Sequence, residues 1–168
     1  MTRTATFALD AVDEASVVEM IVGRTAPLVA GEPHLIVTPN MNHLAILQRP
    51  GVLTEAYERA SLRLADGWPV VSLGKSLGFP LTGRTTGSGI VELLATTDGS
   101  GKRLFVIGGS SQAAHERALA RFAAAGWDAR GHQAPREWID FETNLSGLFA
   151  EVREHSPDVV LIGIGAVK

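Results

Sequence analysis

Two short stretches of this sequence hold residue types whose spacing suits chemistry. The first is Ala65-Asp66-Gly67-Trp68-Pro69, read as a turn immediately before a buried strand. A carboxylate held at a sheet edge can take a proton from an attacking hydroxyl when burial or neighbouring charge brings its pKa into a useful range. Asp-Gly is equally a common turn dipeptide, and taken alone the pair reads as a turn. The second is Gly83-Arg84-Thr85-Thr86-Gly87-Ser88-Gly89-Ile90, in which glycines let backbone approach a ligand closely. A helix opening there favours an anion, and Arg84 can clamp a phosphate in bidentate fashion.

Further polar turns accompany these. Thr38-Pro39-Asn40-Met41-Asn42-His43 offers Thr38, Asn40 and Asn42 as uncharged donors and acceptors, which suit sugar hydroxyls or a uracil edge. Helix capping and an Asx turn explain the same residues. Gly108-Gly109-Ser110-Ser111 follows a strand and opens a helix, a place for a pyrophosphate on amide N–H groups. Tight packing of strand against helix explains Gly108 and Gly109 equally well. Neither this turn nor Gly163-Ile164-Gly165 has the G-x-G-x-x-G spacing of a dinucleotide fingerprint, and the Arg84 loop lacks the Gly-Lys-Ser/Thr of a Walker loop. The five histidines are scattered with no metal-ligand spacing, no G-x-S-x-G elbow is present, and no D-x-D motif occurs. Trp68, Trp127 and Trp138 read as packing residues.

The elements that must position these turns follow from the apolar pattern. Leu35–Val37, Val70–Leu73, Leu104–Ile107 and Val159–Ile162 are short runs rich in β-branched residues, as expected of strands buried on both faces. Helical periodicity lies between them. Val52, Leu53, Ala56, Tyr57 and Ala60 share one face, and Ala113 to Ala123 forms a second stripe that stops at Gly126. Leu145, Leu148, Phe149 and Val152 form a third, with Thr143 or Asn144 as its N-cap, and Ala11 to Val22 a fourth that Gly23 ends. Strands alternating with crossover helices predict one α/β domain over residues 1–168, a Rossmann-like, mostly parallel sheet with helices on both faces. Ligands of such sheets bind outside the carboxyl ends of the strands. The last run enters Gly163–Lys168 and the chain stops, which reads as a core lacking its C-terminal part.

Composition narrows the classes. The 168 residues are 45% hydrophobic and 20% charged, ordinary for a globular chain and unlike disordered or fibrous sequences. A net charge of −3 gives no basic excess for nucleic acid, and zero cysteines exclude disulfides, thiolate metal sites and a cysteine nucleophile. The longest uncharged stretch, Pro33–Gln48, is broken by two prolines and two asparagines, so no transmembrane helix fits. Asp10, Asp13 and Glu14 interrupt any signal-like apolar region, and a cytoplasmic location is expected.

Taken in order, the turns resemble the WecG/TagA/CpsF family of bacterial glycosyltransferases. The matching elements are Thr38-Pro39-Asn40 with Asn42-His43-Leu44, Ala65-Asp66-Gly67 with Pro69-Val70-Val71, Lys75-Ser76-Leu77-Gly78 and Arg84-Thr85-Thr86-Gly87-Ser88. Leu104–Gly109 and Pro157–Gly165 complete them, so the likeness spans residues 35–168. The sequence departs from the family at Gly89, where an Asp is usual, at Gly131–Pro135, where Gly-Tyr-Phe is missing, and at Val167-Lys168, where Pro-Lys-Gln-Glu is cut short. The resemblance implies inverting transfer of a sugar, N-acetylmannosamine or its uronic acid, from a UDP-sugar to an undecaprenyl-diphosphate-linked saccharide. It implies work at the inner membrane face, reached through the missing C-terminal part, for wall teichoic acid, common antigen or capsule, with no cofactor and no catalytic metal.

In this reading Asp66 is the base, and Thr38, Asn40 and Asn42 orient the sugar. Arg84 and amides near Gly87, Gly108 and Gly109 meet the diphosphate, and Gly165 is a further substrate-binding residue. Self-association through an uncovered apolar patch is expected. Two other readings stay open: a dinucleotide-dependent oxidoreductase, against which Thr38-Pro39-Asn40 counts where a glycine fingerprint should stand, and a non-catalytic nucleotide-binding domain.

Overall fold

The computed structural model describes residues 8–23, 33–49, 51–134 and 141–164. Backbone contacts divide the chain into two compact units, Met1–Leu93 and Leu94–Lys168. The fold is α/β, and every strand pair among the described residues is parallel, the Rossmann-like class expected from the sequence pattern.

The first unit begins with helix α1, Glu14–Val22. Asp13 caps it by accepting from the Ser16 amide, and Gly23 ends it in the left-handed region at φ +78°, which only glycine adopts at no cost. Strand β1 (Ile36–Val37), helices α2 (Met41–Ile46) and α3 (Val52–Arg59) and strand β2 (Leu62–Arg63) follow, with β1 and β2 paired in parallel. Asp10 lies alongside β2, its amide donating to the Arg63 carbonyl and its carboxylate accepting from the Arg63 amide. Helices α4 (Trp68–Ser76) and α5 (Gly87–Leu94) complete the unit.

The run Val70–Leu73, expected as a strand, is helix α4 instead. Gly67 turns the chain at φ +104°, and Pro69 falls in the first helical turn, where its missing N–H costs nothing. Val70, Val71 and Gly74 then share one buried face, a helical spacing that packs on Leu9, Leu44, Ala65 and Leu81. A Cβ at Gly74 would lie 2.6 Å from Leu81 and 2.9 Å from Leu9, so this helix needs a glycine to seat on that core.

The second unit holds β3 (Arg103–Gly108), α6 (Gln112–Ala124), β4 (Asp128–His132), α7 (Phe141–His155) and β5 (Val159–Gly163), in strand order β4-β3-β5. Phe105 and Ile107 face α7 through Leu148, Leu145 and Val152. The alternate face meets α6, where His115 lies against Gly131, the partner of Val106 across the sheet. The helices therefore cover opposite faces, as right-handed crossovers on either side of a central strand require. Gly126 ends the α6 stripe at φ +86°, as expected. Helix α7 starts at Phe141, so Thr143 and Asn144 lie within its first turn rather than capping it. Trp127 is buried edge-on to Phe122 with its indole N–H directed at the carbonyls of Leu94 and Thr97, whereas Trp68 is exposed on α4; Trp138 lies outside the described residues. Among the described residues no helix is long and apolar enough to cross a membrane.

Candidate active site

In the first unit the polar turns converge because backbone hydrogen bonds stitch them side by side. The Leu64 amide donates to Val37 O (2.9 Å), the Asp66 amide to Pro39 O (3.1 Å) and the Thr85 amide to Ala65 O (3.0 Å). The turn after β1, the Asp66 turn after β2 and the Arg84–Gly87 loop therefore lie together beyond the carboxyl ends of two parallel strands. That is where open α/β sheets bind ligands.

Asn40 is the N-cap of α2. Its side-chain oxygen accepts from the His43 amide (3.1 Å), and its own amide pairs with His43 Nδ1 (3.3 Å), which forms a capping box with histidine at the third position. The capping explanation of Asn40 is realised, and it fixes the His43 ring on the Asp66 side of the turn. Asn42 is exposed on the same short helix. Thr38 packs against the first residue of α5: a Cβ at Gly87 would lie 3.2 Å from Thr38 Oγ1. The absence of a side chain at Gly87 thus brings the helix opening up to Thr38.

Asp66 is half-buried, one residue before the glycine that caps α4. Burial pushes its carboxyl above the ordinary aspartate value, the Arg84 guanidinium and the His43 ring pull it back down, and the Glu14 carboxylate pushes it up again. The same residue therefore satisfies the turn and remains a carboxylate of raised proton affinity with a cation beside it. Arg84 itself is exposed, with its charge available to an incoming anion.

The partnership of Glu14 with Thr86 has no counterpart in the sequence pattern. Glu14 Oε1 accepts from both the amide and the hydroxyl of Thr86 at 2.8 Å, and Thr86 Oγ1 accepts from the Gly89 amide at 2.9 Å. No periodicity or spacing links residue 14 to residue 86. The only local sign was an acidic residue in the first turn of α1, which reads as an ordinary dipole partner.

Gly108 and Gly109 belong to the second unit. Both have positive φ, +136° and +118°, and a Cβ would meet Gly163 O at 2.6 Å from position 108 and His115 Cβ at 3.0 Å from position 109. Close packing of strand on strand and strand on helix accounts for both glycines. His115, buried on α6, approaches Gly108 O through Nδ1 at 2.7 Å, while its Nε2 has no partner among the described residues. Gly165 lies outside the described residues.

No curated protein matches the chain. A family model does, over residues 3–168, and its description is glycosyl transferase WecG/TagA/CpsF family. That match covers almost the whole sequence and contains every turn described above. The chain belongs to the WecG/TagA/CpsF family of glycosyltransferases.

Proposed function

We propose that the chain transfers a sugar from a UDP-sugar to the hydroxyl of a saccharide carried on a polyprenyl diphosphate, with inversion at the anomeric carbon and without a catalytic metal. The observation that carries this reading is the gathering of the turn after β1, the Asp66 turn and the Arg84 loop beyond the carboxyl ends of two parallel strands, with Asp66 half-buried and its carboxyl pushed above the ordinary aspartate value. In the step proposed, the acceptor oxygen forms a bond to the anomeric carbon from the face opposite the leaving group. The bond between that carbon and the β-phosphate oxygen breaks, and UDP departs with the electron pair. The acceptor's hydroxyl proton passes to Asp66.

A base contributes most when its affinity for a proton approaches the working pH, and partial burial moves Asp66 in that direction. Arg84 opposes that shift, in the direction of the ionised form that can accept a proton. It is also the cation on hand for the negative charge that develops on the diphosphate, a task a divalent ion performs elsewhere. Thr38, Asn40 and Asn42 are the proposed sugar contacts, with the opening amides of α5 at Gly87 beside them. Gly108, Gly109 and Gly165 are proposed on the nucleotide. N-acetylmannosamine or its uronic acid is the proposed sugar, and the inner membrane face the proposed location, with polysaccharide of the cell surface as product. A single folding domain and self-association of the chain complete the proposal.

The test is UDP release from a panel of UDP-N-acetylhexosamines in the presence of a short-chain polyprenyl-diphosphate acceptor and EDTA. Product of inverted configuration with EDTA present supports the reading. Transfer that appears only when Mg²⁺ or Mn²⁺ is added refutes the metal-free part, and UDP binding without any transfer favours a non-catalytic nucleotide-binding domain.

A further inference from the structure

Three ionisable groups act on Asp66, and the reaction proposed above draws on two of them: His43 on α2 and Arg84 in the loop before α5. The third, Glu14, comes from the first residue of α1 and has no part in that scheme. Its placement is nonetheless specific. One carboxylate oxygen accepts from both the amide and the hydroxyl of Thr86, each at 2.8 Å, and Thr86 is buried. Thr86 Oγ1 passes the connection on, accepting from the Gly89 amide at 2.9 Å and lying 3.3 Å from Ser88 Oγ. A carboxylate in this position satisfies N–H groups that the opening turn of a helix leaves unpaired, and it meets the positive end of the helix dipole.

The surroundings are built around it. A Cβ at Gly89 would fall inside the Glu14 carboxylate, so the helix opens with a glycine where the acid enters. The neighbouring Thr85 ties the same two regions to Asp66: its hydroxyl donates to Val12 O at 2.8 Å, two residues before Glu14, and its amide donates to Ala65 O at 3.0 Å, one residue before Asp66. The start of α1, the start of α5 and the Asp66 turn are thus connected through two adjacent threonines.

We propose that Glu14 is a positioning residue of this site, which anchors the opening turn of α5 against Thr38 and stands beside Asp66 as its acidic neighbour, opposed by Arg84 and His43. The proposal rests on the reading of Asp66 as the base. A negative neighbour makes a carboxylate hold a proton more tightly, so Glu14 acts through Asp66 and through the α5 amides without touching substrate. A residue that merely capped α5 would do only the second.

The experiment separates the two with variants of the full chain. Glu14→Gln keeps an oxygen for the Thr86 amide and removes the charge, Glu14→Asp keeps the charge on a shorter arm, and Glu14→Ala removes both. The Asp66 carboxyl is followed by ¹³C NMR through a pH titration, and the Thr86 and Gly89 amides by hydrogen exchange, neither of which needs a substrate. In Glu14→Gln the Asp66 midpoint is expected to move to lower pH while both amides keep their protection. In Glu14→Ala the midpoint moves the same way and the Thr86 amide exchanges about tenfold faster, as the loss of a hydrogen bond to a charged acceptor implies. Glu14→Asp is expected to leave the midpoint near that of the wild type, and it keeps the comparison available if the other two variants fold poorly. An Asp66 midpoint that is the same in wild type and Glu14→Gln overturns the proposal. The acid limb of kcat/KM then distinguishes the two layers: if the titration moves and the limb does not follow, Glu14 faces Asp66 as proposed and Asp66 is not the base.

Discussion

Asp66→Asn is the substitution that bears most directly on the mechanism. The side chains have the same shape, and the backbone bonds that hold the turn do not involve the carboxylate: the Asp66 amide still donates to Pro39 O, and Gly67 O still accepts from the Val70 and Val71 amides. The fold should therefore survive while the proton acceptor is lost. Removing a general base costs about 10²–10⁴-fold in rate, or roughly 3–5 kcal/mol of transition-state stabilisation at about 1.36 kcal/mol per tenfold. UDP affinity should hold or rise slightly, because Arg84 loses an anionic neighbour and keeps its full charge for the diphosphate. Stability supplies an independent check. Burial raises the Asp66 pKa in the folded chain above its unfolded value, so the stability this group contributes is present at pH below the unfolded pKa and is lost as pH rises through the folded one. At neutral pH the charged aspartate is thus a cost, and Asp66→Asn should melt at or above the wild-type temperature, with the difference shrinking toward acid. The assays are UDP release across pH, calorimetric titration with UDP, and thermal unfolding at neutral and acid pH. Turnover within a few-fold of wild type refutes Asp66 as base. A variant that melts several degrees lower at neutral pH refutes the assignment of the carboxylate as a destabilised group.

Arg84→Ala should weaken UDP binding and slow transfer together, by roughly tenfold or more in each, since a charge-assisted contact to phosphate contributes in both ground and transition states; unchanged affinity in calorimetry with EDTA would remove Arg84 from the diphosphate. Asn40→Ala should cost about 1 kcal/mol of stability through the lost cap of α2, whereas Asn40→Asp, which can accept from the same amide, should cost far less, as urea unfolding would show. Gly108→Ala should destabilise by about 1–3 kcal/mol or more, because it adds a Cβ at 2.6 Å from Gly163 O on a backbone at φ +136°; a melting temperature equal to wild type would contradict the β3–β5 packing described.

Much of this protein was legible in its sequence. Helices α3 and α6 follow from apolar residues at helical spacing, and the glycines that end α1 and α6 were readable because a positive φ singles out that residue at a helix end. The ordered series of polar turns carried the family, since each turn is local and its residue types survive whatever packs around it. Other features came only with tertiary structure. Val70–Leu73 has a strand's composition, and a run of four residues, three of them apolar, does not carry enough of either period to decide; Gly67, Pro69 and the fit of Gly74 between Leu81 and Leu9 make it a helix. Strand β2 is two residues long and β4, at the edge of its sheet among the described residues, consists of Asp, Ala, Arg, Gly and His, so neither presents a hydrophobic period to read. The partnership of Glu14 with Thr86 spans 72 residues and leaves no local pattern. The proton affinity of Asp66 was beyond reach for the same reason: it depends on how much water its turn excludes and on charges brought in by α1, α2 and the loop before α5, and those distances exist only once the chain has folded.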